Sequence, residues 1–241
     1  MKLLTVTVPC YNSQDYMEKC IQSLLPGGNR VEIIIIDDGS KDNTGKIADE
    51  YARKFPDIVR VIHQENGGHG EGINQGLKHA TGTYFKVVDS DDTLSPDFPK
   101  FLDALEECER QGGVDMVVTN YYYVHSDGDG DRSINYSAVL PENRIFTWED
   151  TKPFRVYQML TIHSSTFRTE IMRKWEQPLP KHVFYDLSDD TLCAENVLSQ
   201  RRPLPLLDRP AGSVGAVCRS GQAPRRSDPC DGTVLHHLSS G

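Results

Sequence analysis

The feature that most constrains the fold is an unbroken run of four isoleucines at residues 33–36, followed directly by Asp37 and Asp38. A strand with one face in water alternates apolar and polar residues, whereas a strand that is apolar at every position is covered on both faces. Strands of this kind occur mainly in parallel sheets with helices on both sides. The run therefore predicts an α/β fold with a mostly parallel sheet flanked by helices.

Strand and helix patterns alternate along the first half of the chain, as this fold requires. Apolar residues at 17, 20, 21 and 24 follow the i, i+3, i+4, i+7 spacing of a helix that starts near residues 13–15. Further helices are predicted around residues 47–51, from residue 72, after residue 92 and at 169–175. The predicted strands are residues 2–8, 31–36, 59–63, 84–88, 115–124 and 162–167.

A second buried strand ends in acidic residues, because the apolar run at 84–88 stops at Asp89, Ser90, Asp91 and Asp92. Three carboxylates within four residues repel one another unless a cation lies between them. Mg²⁺ and Mn²⁺ take oxygen ligands and usually share them between carboxylates and substrate phosphates. Ligands of open α/β sheets bind outside the carboxyl ends of the strands. The turn therefore predicts a Mn²⁺ or Mg²⁺ site, and the alternative is a solvated acidic turn that caps the next helix.

A glycine-rich segment, ENGGHGEGINQGL, lies at residues 65–77 between the third and fourth predicted strands. Glycine allows a backbone to approach a ligand closely, and the helix predicted from residue 72 would point its N-terminus at that ligand. The segment fits neither a Walker A loop nor a dinucleotide-binding fingerprint. A flexible loop without a ligand is the alternative.

Composition excludes several classes of protein. The formal net charge of -9 argues against nucleic-acid binding, which depends on Lys and Arg. There is no apolar run of 18 residues and no signal-peptide pattern, so we expect a cytoplasmic protein with at most peripheral membrane contact. The six cysteines show no C-x-x-C spacing, and reduced thiols are expected.

Six motifs, in this order, resemble those of a family 2 glycosyltransferase of the GT-A fold. They are VPCYN at 8–12, IIIDDGSKDNT at 34–44, ENGG at 65–68, NQGL at 74–77, TGTYF at 81–85 and DSDD at 89–92. The resemblance covers residues 1–125 well and 145–186 more loosely. It implies a GT-A domain at 1–185, with a nucleotide-sugar-binding half at 1–125 and an acceptor half at 126–185, followed by an atypical tail at 186–241.

The resemblance also implies roles for individual residues. Thr7, Pro9 and Tyr11 would line the uracil or another base, and Asp38 would accept a hydrogen bond from it. Asp89 and Asp91 would form the metal-binding D-x-D motif. The full set implied for nucleotide-sugar binding is Thr7, Pro9, Tyr11, Asp37, Asp38, Asn74, Lys86, Asp89 and Ser90.

The implied activity is metal-dependent, inverting transfer of a sugar from a nucleotide-diphosphate donor, expected to be a UDP-sugar, to a glycan or lipid-linked acceptor in polysaccharide biosynthesis. The residue that matches the catalytic base is Asp186, with Asp189 and Asp190 as alternatives. His163 and Ser164 lie where members of the family often place acceptor-site groups, although a core histidine is equally consistent with the sequence.

The chain departs from the family at residues 72–74, where Gly-Ile-Asn replaces the Ala-Arg-Asn of many members. A cation that commonly lies near the phosphates is therefore absent. His69 and Lys86 are candidates to replace it, although His69 also fits a simple loop residue. Lys86 lies inside a predicted strand, where a charge needs a partner, and the nearby acids are the candidates.

The tail at 186–241 differs from the rest of the chain. The 8 Phe, 10 Tyr and 2 Trp all precede it, and it contains no Lys. Two explanations remain open: a disordered tail, or a shift of reading frame, because residues 201–215 and 231–237 allow codons whose one-base displacement encodes aromatic-rich segments. Loss of the original C-terminus would favour a non-catalytic nucleotide-sugar-binding remnant. A nucleotidyltransferase is a third possibility, but its lysine-containing glycine-rich loop after the first strand is missing.

Overall fold

The computed structural model describes residues 1–125, 132–154, 160–174, 179 and 234–238. The chain divides into two compact units. The first contains residues 1–93 and 166–185, and the second contains residues 94–165 and 186–241.

The first unit alternates strands and helices. Its strands are β1 (Leu4–Cys10), β2 (Val31–Asp38), β3 (Val59–Gln64), β4 (Tyr84–Val87) and β9 (Ser165–Arg168), whose first residue belongs to the second unit. Its helices are α1 (Met17–Leu24), a 3₁₀ helix (Leu25–Arg30), α2 (Thr44–Lys54), α3 (His69–His79) and α5 (Thr169–Arg173).

The strands of this unit follow the order β3-β2-β1-β4-β9. The first four are parallel, and β9 is antiparallel to β4. Every residue of β1 and β2 is buried, including the four isoleucines. This confirms the predicted α/β fold with a mostly parallel sheet, and the isoleucine run is apolar throughout because both of its faces are covered.

The second unit contains β5 (Thr93–Leu94, of which Leu94 belongs to this unit), α4 (Phe98–Arg110), β6 (Met116–Val118), β7 (Tyr121–His125), β8 (Arg132–Ile134), 3₁₀ turns at Trp148–Asp150 and Ile162–Ser164, and β10 (Val234–Leu238). Strand β7 pairs antiparallel with β8 and parallel with β10. Helix α4, predicted after residue 92, buries Phe98, Phe101, Leu102 and Leu105. Apart from β10, the tail lies outside the described residues.

Besides the start of α1, which lies at Met17 instead of near residues 13–15, three predicted boundaries are wrong. Helix α3 begins at His69 instead of residue 72, because Gly68 adopts φ 86° and lets the chain turn into the helix earlier. The strand predicted at 115–124 is interrupted at Thr119 and Asn120. The main-chain N–H of Thr119 donates to the carbonyl of Ser164, and the Asn120 side chain accepts a hydrogen bond from Tyr136.

The third difference is at residues 162–167, where a single strand was predicted. Ile162–Ser164 instead form a 3₁₀ turn, and the strand starts at Ser165. In the described ranges, no helix combines the length and the apolar character needed to cross a membrane.

Candidate functional site

The carboxyl ends of β1, β2 and β4 lie side by side at one edge of the sheet. Cys10 pairs with Asp37 across β1 and β2, and Thr7 pairs with Val87 across β1 and β4. The segments that follow these strands therefore leave the sheet at the same edge. Asp37 and Asp38 end β2, and the segments after β1 and β4 carry Tyr11 and the acidic residues 89–92, so these predicted site residues lie at the same edge of the sheet.

Asp38 is buried and bound by the glycine-rich segment. Its Oδ1 accepts hydrogen bonds from Gln64 Nε2 at 2.6 Å and from the main-chain N–H of Gly67 at 2.7 Å. Its Oδ2 accepts one from the main-chain N–H of Gly68 at 2.8 Å. A carboxylate has about four acceptor positions. Asp38 thus anchors the glycine-rich segment and retains acceptor capacity for the hydrogen bond predicted from the base.

Asp37, although adjacent to Asp38, faces helix α2. Its Oδ2 lies 2.9 Å from His63 Nδ1, and its Oδ1 accepts a hydrogen bond from the main-chain N–H of Ser40 at 3.1 Å. The other ring nitrogen of His63 lies 3.1 Å from Asp49 Oδ1. The hydrogen bond to Asp37 raises the pKa of His63 above 6.5, burial opposes this shift, and Asp49 adds to it. Asp37 is therefore part of a structural ion pair.

The loops that follow β1 and β2 are joined by hydrogen bonds. The main-chain N–H of Asn12 donates to Ser40 Oγ at 3.1 Å, and Asn12 Oδ1 accepts from the main-chain N–H of Lys41 at 2.9 Å. Asn12 adopts φ 52°, a conformation that Asn tolerates better than most residues. Next to it, the Tyr11 side chain is 47% exposed, which leaves its ring available to a ligand.

The acidic turn at residues 89–92 is fixed by its backbone and by Ser90. The carbonyl of Asp89 accepts hydrogen bonds from the main-chain N–H of Asp92 at 3.0 Å and from the thiol of Cys20 at 3.5 Å. Ser90 Oγ is 2.8 Å from Ser13 Oγ, and both serines are buried. Ser90 thus ties the turn to the loop after β1.

His69 connects the glycine-rich segment to the acidic turn. Its Nε2 lies 2.7 Å from Asp89 Oδ1. Burial lowers the pKa of His69, but the hydrogen bond to Asp89 and the charges of Asp89, Asp91 and Asp38 outweigh it, so the pKa is raised above 6.5. The imidazole therefore lies in the combined field of three carboxylates.

The donor set of the acidic turn fits a hard divalent cation. Across the described ranges, no three His, Cys, Asp or Glu side chains are arranged to hold a metal ion by themselves. Mg²⁺ and Mn²⁺, however, are commonly held by one or two carboxylates together with substrate phosphates. Asp89 and Asp91 supply carboxylate oxygens of this kind at the sheet edge.

Thr7 and Lys86, two further predicted donor-site residues, lie in β1 and β4. Thr7 is fully buried, and the space beside its hydroxyl is so tight that a Cβ on Gly76 would lie 2.0 Å from Oγ1. Lys86 is also buried. Burial lowers its pKa from 10.5 to about 7, and the negative charge of Asp92 opposes that shift.

The other predicted donor-site residues are on or against helix α3. Pro9 is buried, and a Cβ on Gly72 would lie 3.2 Å from its own Cβ. The side-chain amide of Asn74 forms two hydrogen bonds with the backbone of Leu179, one to the carbonyl at 3.1 Å and one from the N–H at 3.0 Å. Asn74 thus holds a segment 105 residues away in the chain.

The predicted base Asp186 and its alternatives Asp189 and Asp190 lie outside the described residues. In the second unit, His163 packs edge-on against Tyr121, with the ring centroids 4.7 Å apart, and Ser164 is buried. Ser13 was missed as a site residue by the sequence analysis. Its position at the predicted start of α1, directly after the VPCYN motif, was the available signal.

Comparison with known proteins identifies the family to which the chain is similar. Residues 5–174 match the family described as Glycosyl transferase family 2. The uncharacterised glycosyltransferase EpsJ of Bacillus subtilis is 38% identical over 166 residues, which are 68% of this chain and 45% of EpsJ. Glycosyltransferase GlyG of Streptococcus pneumoniae is 38% identical over 131 residues, 53% of this chain and 42% of GlyG. The chain thus spans less than half the length of these relatives.

Solved structures agree with this result. The crystal structure of S. aureus TarS 1-349 matches with a TM-score of 0.61 and 25% identity, over 82% of this chain and 55% of that one. The same protein has been solved in complex with UDP-GlcNAc. The mannosyltransferase PcManGT from Pyrobaculum calidifontis shares the fold, with a TM-score of 0.53 and 21% identity over 80% of this chain and 51% of that one.

Proposed function

Since the chain belongs to glycosyltransferase family 2 and has the GT-A fold, we propose that it transfers a sugar from a UDP-sugar to a glycan or lipid-linked acceptor, with a divalent metal and inversion at the anomeric carbon. The observation that carries this proposal is that Asp38 and the acidic turn lie at the same edge of the sheet, formed by the carboxyl ends of β1, β2 and β4. The UDP-GlcNAc complex of TarS, at 25% identity, supports UDP as the nucleotide.

In this proposal, five residues of the donor site have defined roles: Tyr11, Asp38, Asp89, Ser90 and Asp91. The exposed ring of Tyr11 stacks on the base, and the remaining acceptor capacity of Asp38 receives a hydrogen bond from it. Asp89 and Asp91 hold Mn²⁺ or Mg²⁺. When bound, such an ion supplies positive charge that neutralises the departing nucleoside diphosphate. Ser90 keeps the turn in position through Ser13.

The acceptor half is proposed to lie in residues 126–185, with the base immediately beyond it. Asp186 removes the proton from the acceptor hydroxyl, whose oxygen attacks the anomeric carbon in line with the departing diphosphate. In-line attack inverts the configuration at that carbon. The proton passes to the carboxylate, and the nucleoside diphosphate leaves with the electron pair of the broken bond.

A specific observation favours a second candidate, a nucleotide-sugar-binding protein without transferase activity. The family match ends at residue 174, and residues 186–241 contain no aromatic side chain. If that tail arose from a shift of reading frame, the donor half remains but the acceptor half is incomplete. We propose sequencing of the gene as the check, and an aromatic-rich open frame displaced by one base is the result this alternative requires.

Hydrolysis of the donor tests the proposed function. We expect purified protein to release UDP slowly from UDP-GlcNAc in the presence of Mn²⁺, because a competent transferase passes some sugar to water. Replacement of the metal ligand in Asp91→Asn should lower this rate more than about 100-fold, since even outer-shell changes at metal sites cost about 10–100-fold. Asp103→Asn, at an exposed position of α4, serves as the control.

The results separate the candidates. Metal-dependent hydrolysis that Asp91→Asn abolishes supports the transferase. UDP binding without hydrolysis supports the binding protein, and hydrolysis at equal rates in Asp91→Asn and wild type contradicts the assigned metal site.

A further inference from the structure

We propose that His69 is a positioning residue that fixes the orientation of the Asp89 carboxylate toward the metal and the donor diphosphate. The inference rests on the proposed function, because it concerns the same donor site. For His69 the sequence left two alternatives, a cation near the phosphates and a simple loop residue.

The backbone before His69 is held in place. The main-chain N–H groups of Gly67 and Gly68 both donate to the buried carboxylate of Asp38. Gly39, which follows Asp38, has φ 72°, and a Cβ there would lie 2.8 Å from the main-chain nitrogen of Asn66. The glycine-rich segment is therefore packed closely against the end of β2.

His69 is the first residue of α3, directly after Gly68. With the preceding two N–H groups bound to Asp38 and the following residues in a helix, the backbone on both sides of His69 is constrained. The imidazole therefore extends from a fixed base toward the acidic turn.

His69 contacts the Asp89 side chain directly. At 2.7 Å, Nε2–H donates to Oδ1 and restricts rotation of the carboxylate about its final torsion. The carbonyl of the same residue is already fixed by Asp92 and Cys20. Both the backbone and the side chain of Asp89 are thus held before any ligand arrives.

Such preorganisation is what a metal-binding carboxylate needs. Ligating carboxylates are usually hydrogen-bonded by neighbouring groups that orient them, and loss of such a partner typically costs about 10–100-fold in metal affinity or activity. In this chain the line of contacts runs from Asp38 through Gly67 and Gly68 to His69 and then to Asp89. Asp38 thereby acts on the metal site through the glycine-rich segment.

The test compares His69→Ala with His69→Gln by calorimetric titration. The glutamine side chain can place an amide N–H near the position of Nε2, whereas alanine has no donor. We expect His69→Ala to weaken Mn²⁺-dependent UDP binding about 10–100-fold and His69→Gln to recover most of that loss. Binding of uridine without metal should be equal in all proteins, because uridine lacks the diphosphate.

Two further measurements keep the result interpretable. His79→Ala, at the exposed last residue of the same helix, is the matched control, and circular dichroism checks that each variant is folded. Wild-type UDP affinity in His69→Ala would overturn the inference, as would a loss that His69→Gln does not recover or an equal loss of uridine binding. Failure of the wild-type protein to bind UDP would instead overturn the proposed function.

Discussion

At the scale of single residues, the two adjacent aspartates at the end of β2 have different hydrogen-bond partners because side chains alternate across a strand. Asp37 points toward α2, where a Cβ on Gly45 would lie 2.6 Å from its Oδ2, and it pairs with His63. Asp38 points the other way and binds the N–H groups of Gly67 and Gly68. Asp37 therefore pairs with His63, whereas Asp38 holds the glycine-rich segment.

The pair formed by Asp37 and His63 predicts a pH dependence of stability. The pKa of His63 is higher in the folded protein than its ordinary value of 6.5, so the native state binds that proton more tightly than the unfolded state does. The contribution is complete below pH 6.5 and is lost as the pH rises through the raised pKa. Because His63 is about half exposed, we expect only about 0.5 kcal/mol.

Urea denaturation of wild type and His63→Gln between pH 5.5 and pH 8.5 measures this contribution. The stability difference between the two proteins should be largest at the acidic end and should shrink as the pH rises. A difference that stays constant over this range, or that grows with pH, would contradict the assignment.

At the scale of secondary structure, helix α3 connects the sheet to the site. Its glycines allow close contact with β1, since Gly76 lies against Thr7 and Gly72 against Pro9. Its first residue reaches Asp89, and Asn74 on its second turn binds the backbone of Leu179. The helix thus packs on the sheet and contacts two other parts of the first unit, at Asp89 and at Leu179.

This packing predicts unequal effects for two substitutions in α3. Both Gly72→Ala and Gly76→Ala gain about 1 kcal/mol of helix propensity. In Gly76→Ala the new Cβ would lie 2.0 Å from Thr7 Oγ1 and 2.6 Å from Thr7 Cβ, which forces the helix away from β1. Overpacking of this kind costs about 1–3 kcal/mol or more. In Gly72→Ala the nearest atom is 3.2 Å away, so the cost is smaller.

Thermal and urea unfolding of the two variants check this difference. We expect Gly76→Ala to be clearly less stable than Gly72→Ala. Equal stability of the two would show that α3 does not pack against β1 as described.

The same helix shows how far the sequence could predict the fold and the site. Local patterns were sufficient for β1, β2 and the apolar face of α1, because burial of an element leaves its period in its own residues. The start of α3 could not be predicted from apolar periodicity, because it depends on the positive φ of Gly68. The break between β6 and β7 depends on Ser164 and Tyr136, which are distant in sequence.

The candidate site likewise contains residues that local patterns predict and contacts that they do not predict. The carboxylates at the ends of β2 and β4 were predictable because each group comes directly after an apolar run in the sequence, residues 33–36 and 84–88. Their partners were not, since Asp38 meets Gly67 and Gly68 across 29 and 30 residues and Asn74 meets Leu179 across 105. Contacts of that range follow from the packing of α3 and leave no local pattern.

At the scale of the whole molecule, the residues proposed to bind the donor lie together in one compact unit. The acidic turn, the glycine-rich segment and the loops after β1 and β2 all belong to the first unit. The predicted base and the aromatic-free tail lie outside the described residues. The central claim is therefore that the first unit binds a nucleoside diphosphate with a metal ion.

The most direct test of that claim is calorimetric titration of the full 241-residue chain with UDP, with Mn²⁺ and with EDTA in its place. We predict saturable binding of UDP that requires the metal. UDP binding of equal strength in EDTA would contradict the role given to Asp89 and Asp91, and a folded protein that binds no UDP under either condition would contradict the donor site itself.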